Sequence, residues 1–369
     1  MRYYCVAGER SGDLHGSNLL KAIKKYDPQA VFRGFGGDEM KAAGLDLTVH
    51  YNQLSFMGFL SLATKLFSIF QYIAKCKADI LEYKPDAVVL IDYGGFNKKI
   101  AQFARQNGFK VYFYISPKVW AWYQSRAKSL KRSVDRMFVI LPFEKDFFKK
   151  FDWEVDYVGN PVLDAIKSFQ KNEDFARQHG LENKRVVALL PGSRKMELTR
   201  IIPLMVEVVK QHPQFEFAVA AVSNLPKALY EPLSALPNVK IIFEESYNLL
   251  SIAQAAIVTS GTATLETGIF KVPQVVVYKM GRLEYQVVKR LVKVKFISLV
   301  NLIADREVVK ELIQEEATLT AVSNELNQLM KEGEYRYAML HEYERIYKIL
   351  DTGSASENAA RLMVHYLKS

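Results

Sequence analysis

Cysteine is nearly absent from this chain of 369 residues: Cys5 and Cys76 are its two, too few for a disulfide framework, which points to a reducing compartment. Its six histidines, His15, His50, His179, His212, His341 and His365, form no H-x-x-x-H pair, and no four-ligand Cys/His cluster is seen. D-x-D is missing as well, so neither a metal nor another cofactor is expected. Glycine and proline, at 19 and 12 residues, are ordinary, and no internal repeat or low-complexity tract is present, which excludes collagen and mucin. Acidic side chains are the minority charge, 40 against 50 Lys and Arg. The net charge of +10 favours an anionic partner: nucleic acid, a phosphorylated ligand or an acidic membrane.

What remains is an ordinary globular composition, 49% hydrophobic with a mean hydropathy near zero, and enough length for two domains. The N-terminus runs from Met1 to Val6 as a strand, without the charged and apolar regions of a secretory signal, so a cytoplasmic location is expected.

Short apolar runs alternate with amphipathic stretches: Tyr3 to Ala7 then Ser17 to Tyr26, Ala87 to Ile91 then Lys98 to Asn107, Val111 to Ile115 then Ser125 to Lys131. This rhythm predicts a parallel sheet covered by helices. It restarts with strands at Val186 to Leu190, Glu216 to Ala220, Val239 to Ile242, Ala255 to Val258 and Gln274 to Val277. Two doubly wound α/β domains are expected, 1–165 with the C-terminal helices 340–369, and 166–339. In the final helices Met339, Tyr343, Ile346 and Leu350 share a face, Asp351 to Gly353 is a break, and Ser356 is placed to cap the last helix.

Ligands of doubly wound folds sit beyond the carboxyl ends of strands, so the strand-to-helix loops carry the candidates. The first, Gly8 to Gly16, has small residues that admit a ligand, with Ser11 and Asp13 as helix caps; a plain tight turn fits it equally. Gly34 to Gly37 reads as a second glycine-rich loop. Asp92 follows an apolar strand and precedes Gly94 and Gly95, the setting of a general base on a hydroxyl or of a turn aspartate. Ser116 to Trp122 holds Lys118, Trp120 and Trp122, suited to sugar rings and phosphate, although core packing explains one Trp more easily than two. Leu190 to Glu197 offers Ser193 and Arg194, the latter able to clamp a diphosphate or simply to face solvent. Thr259 to Glu266 offers hydroxyls and helix-start amides at Ser260, Gly261 and Thr262, with Glu266 one turn on.

Together the loops at Gly8 to Asp13, Asp92 to Asn97, Ser116 to Trp122, Gly159 to Pro161, Leu190 to Arg194, Ser260 to Glu266 and Ser298 to Ala304 resemble the lipid-A-disaccharide synthase family, nearly end to end. The resemblance implies an inverting glycosyltransferase of GT-B architecture: two Rossmann-like domains facing a cleft, with C-terminal helices crossing back to the first. The first domain would take the acceptor and face the membrane, and the second would take the donor. The implied reaction joins UDP-2,3-diacylglucosamine to 2,3-diacylglucosamine 1-phosphate (lipid X), giving a β-1,6-linked disaccharide 1-phosphate and UDP. By the match Asp92 is the acceptor base, Arg194 and Asn301 serve the donor diphosphate, and Ser260, Thr262 and Glu266 hold the nucleotide. Gly12 and its neighbours Ser11 and Asp13 would touch substrate, and the amides of Gly261 and Thr262 would help Arg194 to stabilise UDP without metal. Arg10 stands where a small residue is expected, and Gly94 where proline is usual.

Ser55 to Ile73 is the most apolar stretch, with Lys65 its only charge. Core burial is one reading. The other is that Phe56, Phe59, Leu66 and Phe70 dip into a bilayer, beside basic residues at Arg126 to Arg136 and Lys289 to Lys295, making the chain a peripheral protein on the cytoplasmic face of the inner membrane. A homodimer would be compatible with this. Two competitors remain: a UDP-sugar enzyme of the same fold with a soluble substrate, and a basic nucleic-acid-binding protein, the latter disfavoured because no binding module is visible.

Overall fold

Two sheets, each wholly parallel, grow from the apolar runs. The computed structural model describes residues 1–55, 62–122, 124–292 and 294–369. The chain divides into one unit of Met1–Asp164 with Leu350–Ser369, and a second of Ala165–Ile349.

The first sheet comprises β1 (Arg2–Ala7), β2 (Val31–Gly36), β3 (Leu45–His50), β4 (Ala87–Ile91), β5 (Lys110–Tyr114), β6 (Arg136–Val139) and β7 (Asp156–Tyr157), in the order β3-β2-β1-β4-β5-β6-β7. The second comprises β8 (Val186–Leu190), β9 (Glu216–Ala221), β10 (Val239–Phe243), β11 (Ala255–Thr259), β12 (Gln274–Tyr278) and β13 (Lys310–Ile313), in the order β10-β9-β8-β11-β12-β13. Central strands such as β4 and β8 are buried along their whole length because helices cover both faces, so their sequences are continuous apolar runs rather than alternations. In each sheet the strand order reverses once, between β1 and β4 and between β8 and β11, and these reversals open a crevice at the carboxyl ends of the strands.

Three expectations need correction. Gly8 to Gly16 is not a loop throughout: a helix spans Arg10–Tyr26, so Ser11, Gly12 and Asp13 form its first turn. Gly34 to Gly36 is the end of β2, where Gly34 marks a shift in register against β3. The chain leaves the second unit at Leu350 rather than at 340, because the helix Glu334–Leu350 buries Met339 and Tyr343, and the Tyr343 hydroxyl accepts from Gln274 of β12.

The last helix, Ala355–Lys368, completes the first core by placing Ala359, Ala360, Met363 and Val364 among Leu19, Leu20 and Ile23 of the first helix. Its start is capped by Ser354, not Ser356, and Asp164 accepts from the Ser354 hydroxyl and from the Ala355 and Ser356 amides.

Candidate active site

At the first reversal Ala7 of β1 pairs with Ile91 of β4, so the loops that follow lie side by side. The Tyr93 ring covers Gly8 so closely that a Cβ there would sit 2.3 Å from it. Asn97 ties the two strand ends, its side-chain amide donating to the carbonyls of Val6, Ile91 and Asp92. Between them Asp92 and Tyr93 adopt left-handed backbone, φ 47° and 52°, directly before the helix Gly94–Gln106. Two consecutive non-glycine residues in this region cost on the order of 1–2 kcal/mol each, strain that sharpens the turn carrying the carboxylate. Pro117 explains the glycine after Tyr93: a Cβ on Gly94 would come within 2.9 Å of it.

Asp92 lines a cavity of about 230 Å³ with Gly94, Lys98, Pro117, Lys118, Trp122 and Arg126 among its walls. The two tryptophans divide their work. Trp120 is buried edge-on against Phe143, whereas Trp122 is 44% exposed at the cavity. Beneath the loop sits Glu144, which sequence reasoning missed. Its carboxylate accepts from the Ser116 hydroxyl and the Ile140 and Leu141 amides, yet burial pushes its pKa up to about 7. Only its position at the start of the helix Phe143–Lys149 gave any signal.

Of the first-turn candidates, Ser11 is exposed and Gly12 is buried against Ala7, close enough to bring the helix onto β1. Asp13 has a structural task within the fold. Its buried carboxylate accepts from the amides of Gly37, Glu39 and Met40, capping the helix Asp38–Ala42, which occupies three of its four acceptor positions.

At the second reversal Leu190 of β8 pairs with Val258 of β11, bringing the Pro191 to Arg194 and Ser260 to Thr262 loops together. Glu197 accepts from the amides of Ser193 and Arg194 and closes the turn at the start of the helix Lys195–Gln211. The Arg194 guanidinium is 75% exposed and contacts Glu197 at 3.3 Å. The helix Thr262–Ile269 starts with no side-chain cap, leaving its first amides to face an anion, and Thr262 is exposed there. Ser260 donates to the Ile297 carbonyl, and Glu266 accepts from the Tyr247 hydroxyl at 3.0 Å. Burial raises the Glu266 carboxyl above its ordinary range.

Asn301, expected at the donor, has its side chain engaged within the fold. It is fully buried, its amide donates to the Val309 carbonyl and Glu311, and its oxygen accepts from the Val308 and Val309 amides. No polar atom is left for a ligand; Asn301 fixes the helix Leu299–Ala304, whose Leu299 amide donates to Thr264. Among the described residues no group of three or more His, Cys, Asp or Glu is placed to hold a metal ion.

Residues 3–364 match the Lipid-A-disaccharide synthetase family. The chain belongs to this family. It is 36% identical over 371 residues to a lipid-A-disaccharide synthase of Syntrophus aciditrophicus, covering 98% of this chain and 97% of that one. It is 35% identical over 373 residues to that of Geobacter metallireducens, covering 99% and 97%. Like these relatives it is a glycosyltransferase of lipid A disaccharide synthesis, working on a UDP-sugar and a lipid acceptor. The soluble-substrate and nucleic-acid readings are not favoured. Solved structures of similar fold include a UDP-GlcNAc 2-epimerase from Neisseria meningitidis, TM-score 0.68 at 15% identity with all of both chains covered. The glycotransferase of kitacinnamycin matches at TM-score 0.65 and 13% identity, with 99% of each chain covered. These likenesses bear out the GT-B fold class and say nothing further of the chemistry.

Proposed function

We propose that the chain transfers 2,3-diacylglucosamine from its UDP derivative to the 6-hydroxyl of 2,3-diacylglucosamine 1-phosphate, with Asp92 as the base. The 6-oxygen attacks the anomeric carbon as its proton passes to Asp92, the bond to the UDP diphosphate breaks, and inversion gives the β-1,6 linkage. Arg194 and the amides of Gly261 and Thr262 take the charge that develops on the diphosphate. Ser193, Ser260 and Glu266 border the nucleotide, and Ser11 and Gly12 border the substrate beside Asp92. On this reading the first unit takes the acceptor and the second the donor.

The observation that carries the proposal is the placement of Asp92, held on a strained left-handed turn at the strand-order reversal and open to a cavity with basic walls. Arg194 lies at the corresponding reversal of the second sheet with its guanidinium exposed. Asp92→Asn and Arg194→Ala are each expected to lower kcat by about 10² or more while the protein stays folded and, for Asp92→Asn, still binds UDP. Full activity in either variant would remove that residue from the mechanism.

The acceptor and donor are acylated, so we place the enzyme on the cytoplasmic face of the inner membrane as a peripheral protein. No helix among the described residues is long and apolar enough to cross a membrane. Phe56 and Phe59 fall outside the described residues, as does the side chain of Leu66. Phe70, on the helix Leu62–Tyr83, is 54% exposed, with the Lys99 ammonium 4.3 Å from its ring centre. Charged substitutions at Phe59, Leu66 and Phe70 are expected to abolish flotation with anionic liposomes, and retained flotation would count against the membrane segment. A homodimer would set two such segments on one bilayer, which sedimentation reads directly.

A further inference from the structure

The walls of the Asp92 cavity carry more positive charge than a sugar hydroxyl requires. Among the described residues lining it, Asp92 is the only carboxylate, against the three cations Lys98, Lys118 and Arg126. The three come from separate elements: Lys98 from the helix after β4, Lys118 from the loop after β5, and Arg126 from the start of the helix Arg126–Lys131. No basic run in the sequence brings them together; the fold does. At about 230 Å³ the cavity suits one sugar end of a glycolipid rather than its acyl chains, and Trp122 offers it a ring face.

We propose that Lys98, Lys118 and Arg126 form the subsite for the phosphate on the acceptor sugar, so that the anion anchors the glycolipid while Asp92 meets its hydroxyl. This rests on the reading of Asp92 as the acceptor base. The loop bearing Lys118 is fixed from below, since Glu144 holds Ser116, so the ammonium is presented without ordering the loop at each turnover. Phosphate recognition by several cations would give a preference for phosphorylated acceptors without any contact to the donor.

The same cations could instead meet phosphates of the bilayer, and the experiment separates the two sources. Transfer is measured in neutral detergent micelles, without anionic lipid, with 2,3-diacylglucosamine as acceptor, either carrying or lacking the 1-phosphate. Wild type is expected to prefer the phosphorylated acceptor in kcat/KM. Charge-assisted hydrogen bonds of this kind imply that Lys98→Gln, Lys118→Gln or Arg126→Gln reduces that preference about tenfold or more. The KM for the UDP-sugar should not move, Lys118→Arg should recover part of the preference, and Lys128→Gln, on the same helix as Arg126 but outside the cavity, should behave as wild type. Inorganic phosphate should compete with the acceptor, and less well in the variants. An undiminished preference in all three variants would overturn the subsite. So would variants that keep the preference in micelles and lose only binding to anionic vesicles, which would give the charges to the membrane. A wild type that forms no disaccharide with either acceptor, yet binds UDP, would instead overturn the Asp92 acceptor reading, and the subsite with it.

Discussion

Glu144 illustrates how one buried group couples the site to pH. Its carboxyl is raised from an ordinary 4.5 to about 7 by burial, and the nearby Tyr157 hydroxyl is raised by its own burial and, secondarily, by the Glu144 charge. Between these two values the unfolded chain has released a proton that the folded chain retains, so this group makes stability fall as pH rises from about 4.5 to about 7. The loss is on the order of 2–3 kcal/mol over that window. Glu144→Gln keeps an oxygen for the Ile140 and Leu141 amides and removes the titration. Denaturant unfolding at about pH 5 and pH 8 is expected to show the variant gaining on wild type by that amount at the higher pH. A constant difference would mean that Glu144 is ionised in the fold throughout. The task of Asp13 was not legible in the sequence because its partners, the amides of Gly37, Glu39 and Met40, lie 24 to 27 residues away and backbone amides have no signature in residue type. Glu144 was missed because its amide partners Ile140 and Leu141, though near in the chain, are equally silent and its one side-chain partner, Ser116, lies 28 residues away.

Among the elements, the helix Leu299–Ala304 is short and depends on its surroundings. Ser298 caps it by accepting from the Asn301 amide, and Glu311 accepts from the Ile297 and Ser298 amides and the Ser298 hydroxyl. Removing Asn301 would orphan two buried amides and a carbonyl, at a cost of about 2–4 kcal/mol. Asn301→Ala is therefore expected to lower Tm by several degrees, with any rise in donor KM following from a displaced helix. An unchanged Tm with a raised donor KM would restore Asn301 to direct contact with the nucleotide. Strands followed the same division between local and distant causes. β4 and β8 announced themselves as the runs AVVLI and VVALL, whereas β3, β7 and β13 are interrupted by charge and only partly buried, and β7 and β13 are short as well, so their pattern is indistinct.

In the whole molecule, the chain's last segment is part of its first core. Asp164→Ala removes three capping bonds from the helix Ala355–Lys368 and is expected to cost about 1–2 kcal/mol, read as faster amide exchange across residues 355–368. Deleting residues 351–369 should do more, because it uncovers the face of the first helix that bears Leu19, Leu20 and Ile23. The first unit should then lose its cooperative unfolding transition; a truncated chain that keeps it would show the helix to be an accessory. The face Met339, Tyr343, Ile346 and Leu350 was legible from its helical spacing and is buried as that spacing requires. Which unit buries it was not, since spacing fixes a face and not its partner.

The sequence by itself determined the parallel-sheet architecture, the family and the candidate loops, because strand burial and helix amphipathicity are written in local patterns and the motifs stand at strand ends. Tertiary structure decided which candidates have polar atoms to spare. It assigned Asp13 and Asn301 to holding backbone, left the Arg194 guanidinium exposed, and gathered Lys98, Lys118 and Arg126 around Asp92. The physical reason is that a hydrogen-bond acceptor serves whichever donor the fold brings within about 3 Å, and that donor is set by strand order rather than by neighbours in the chain.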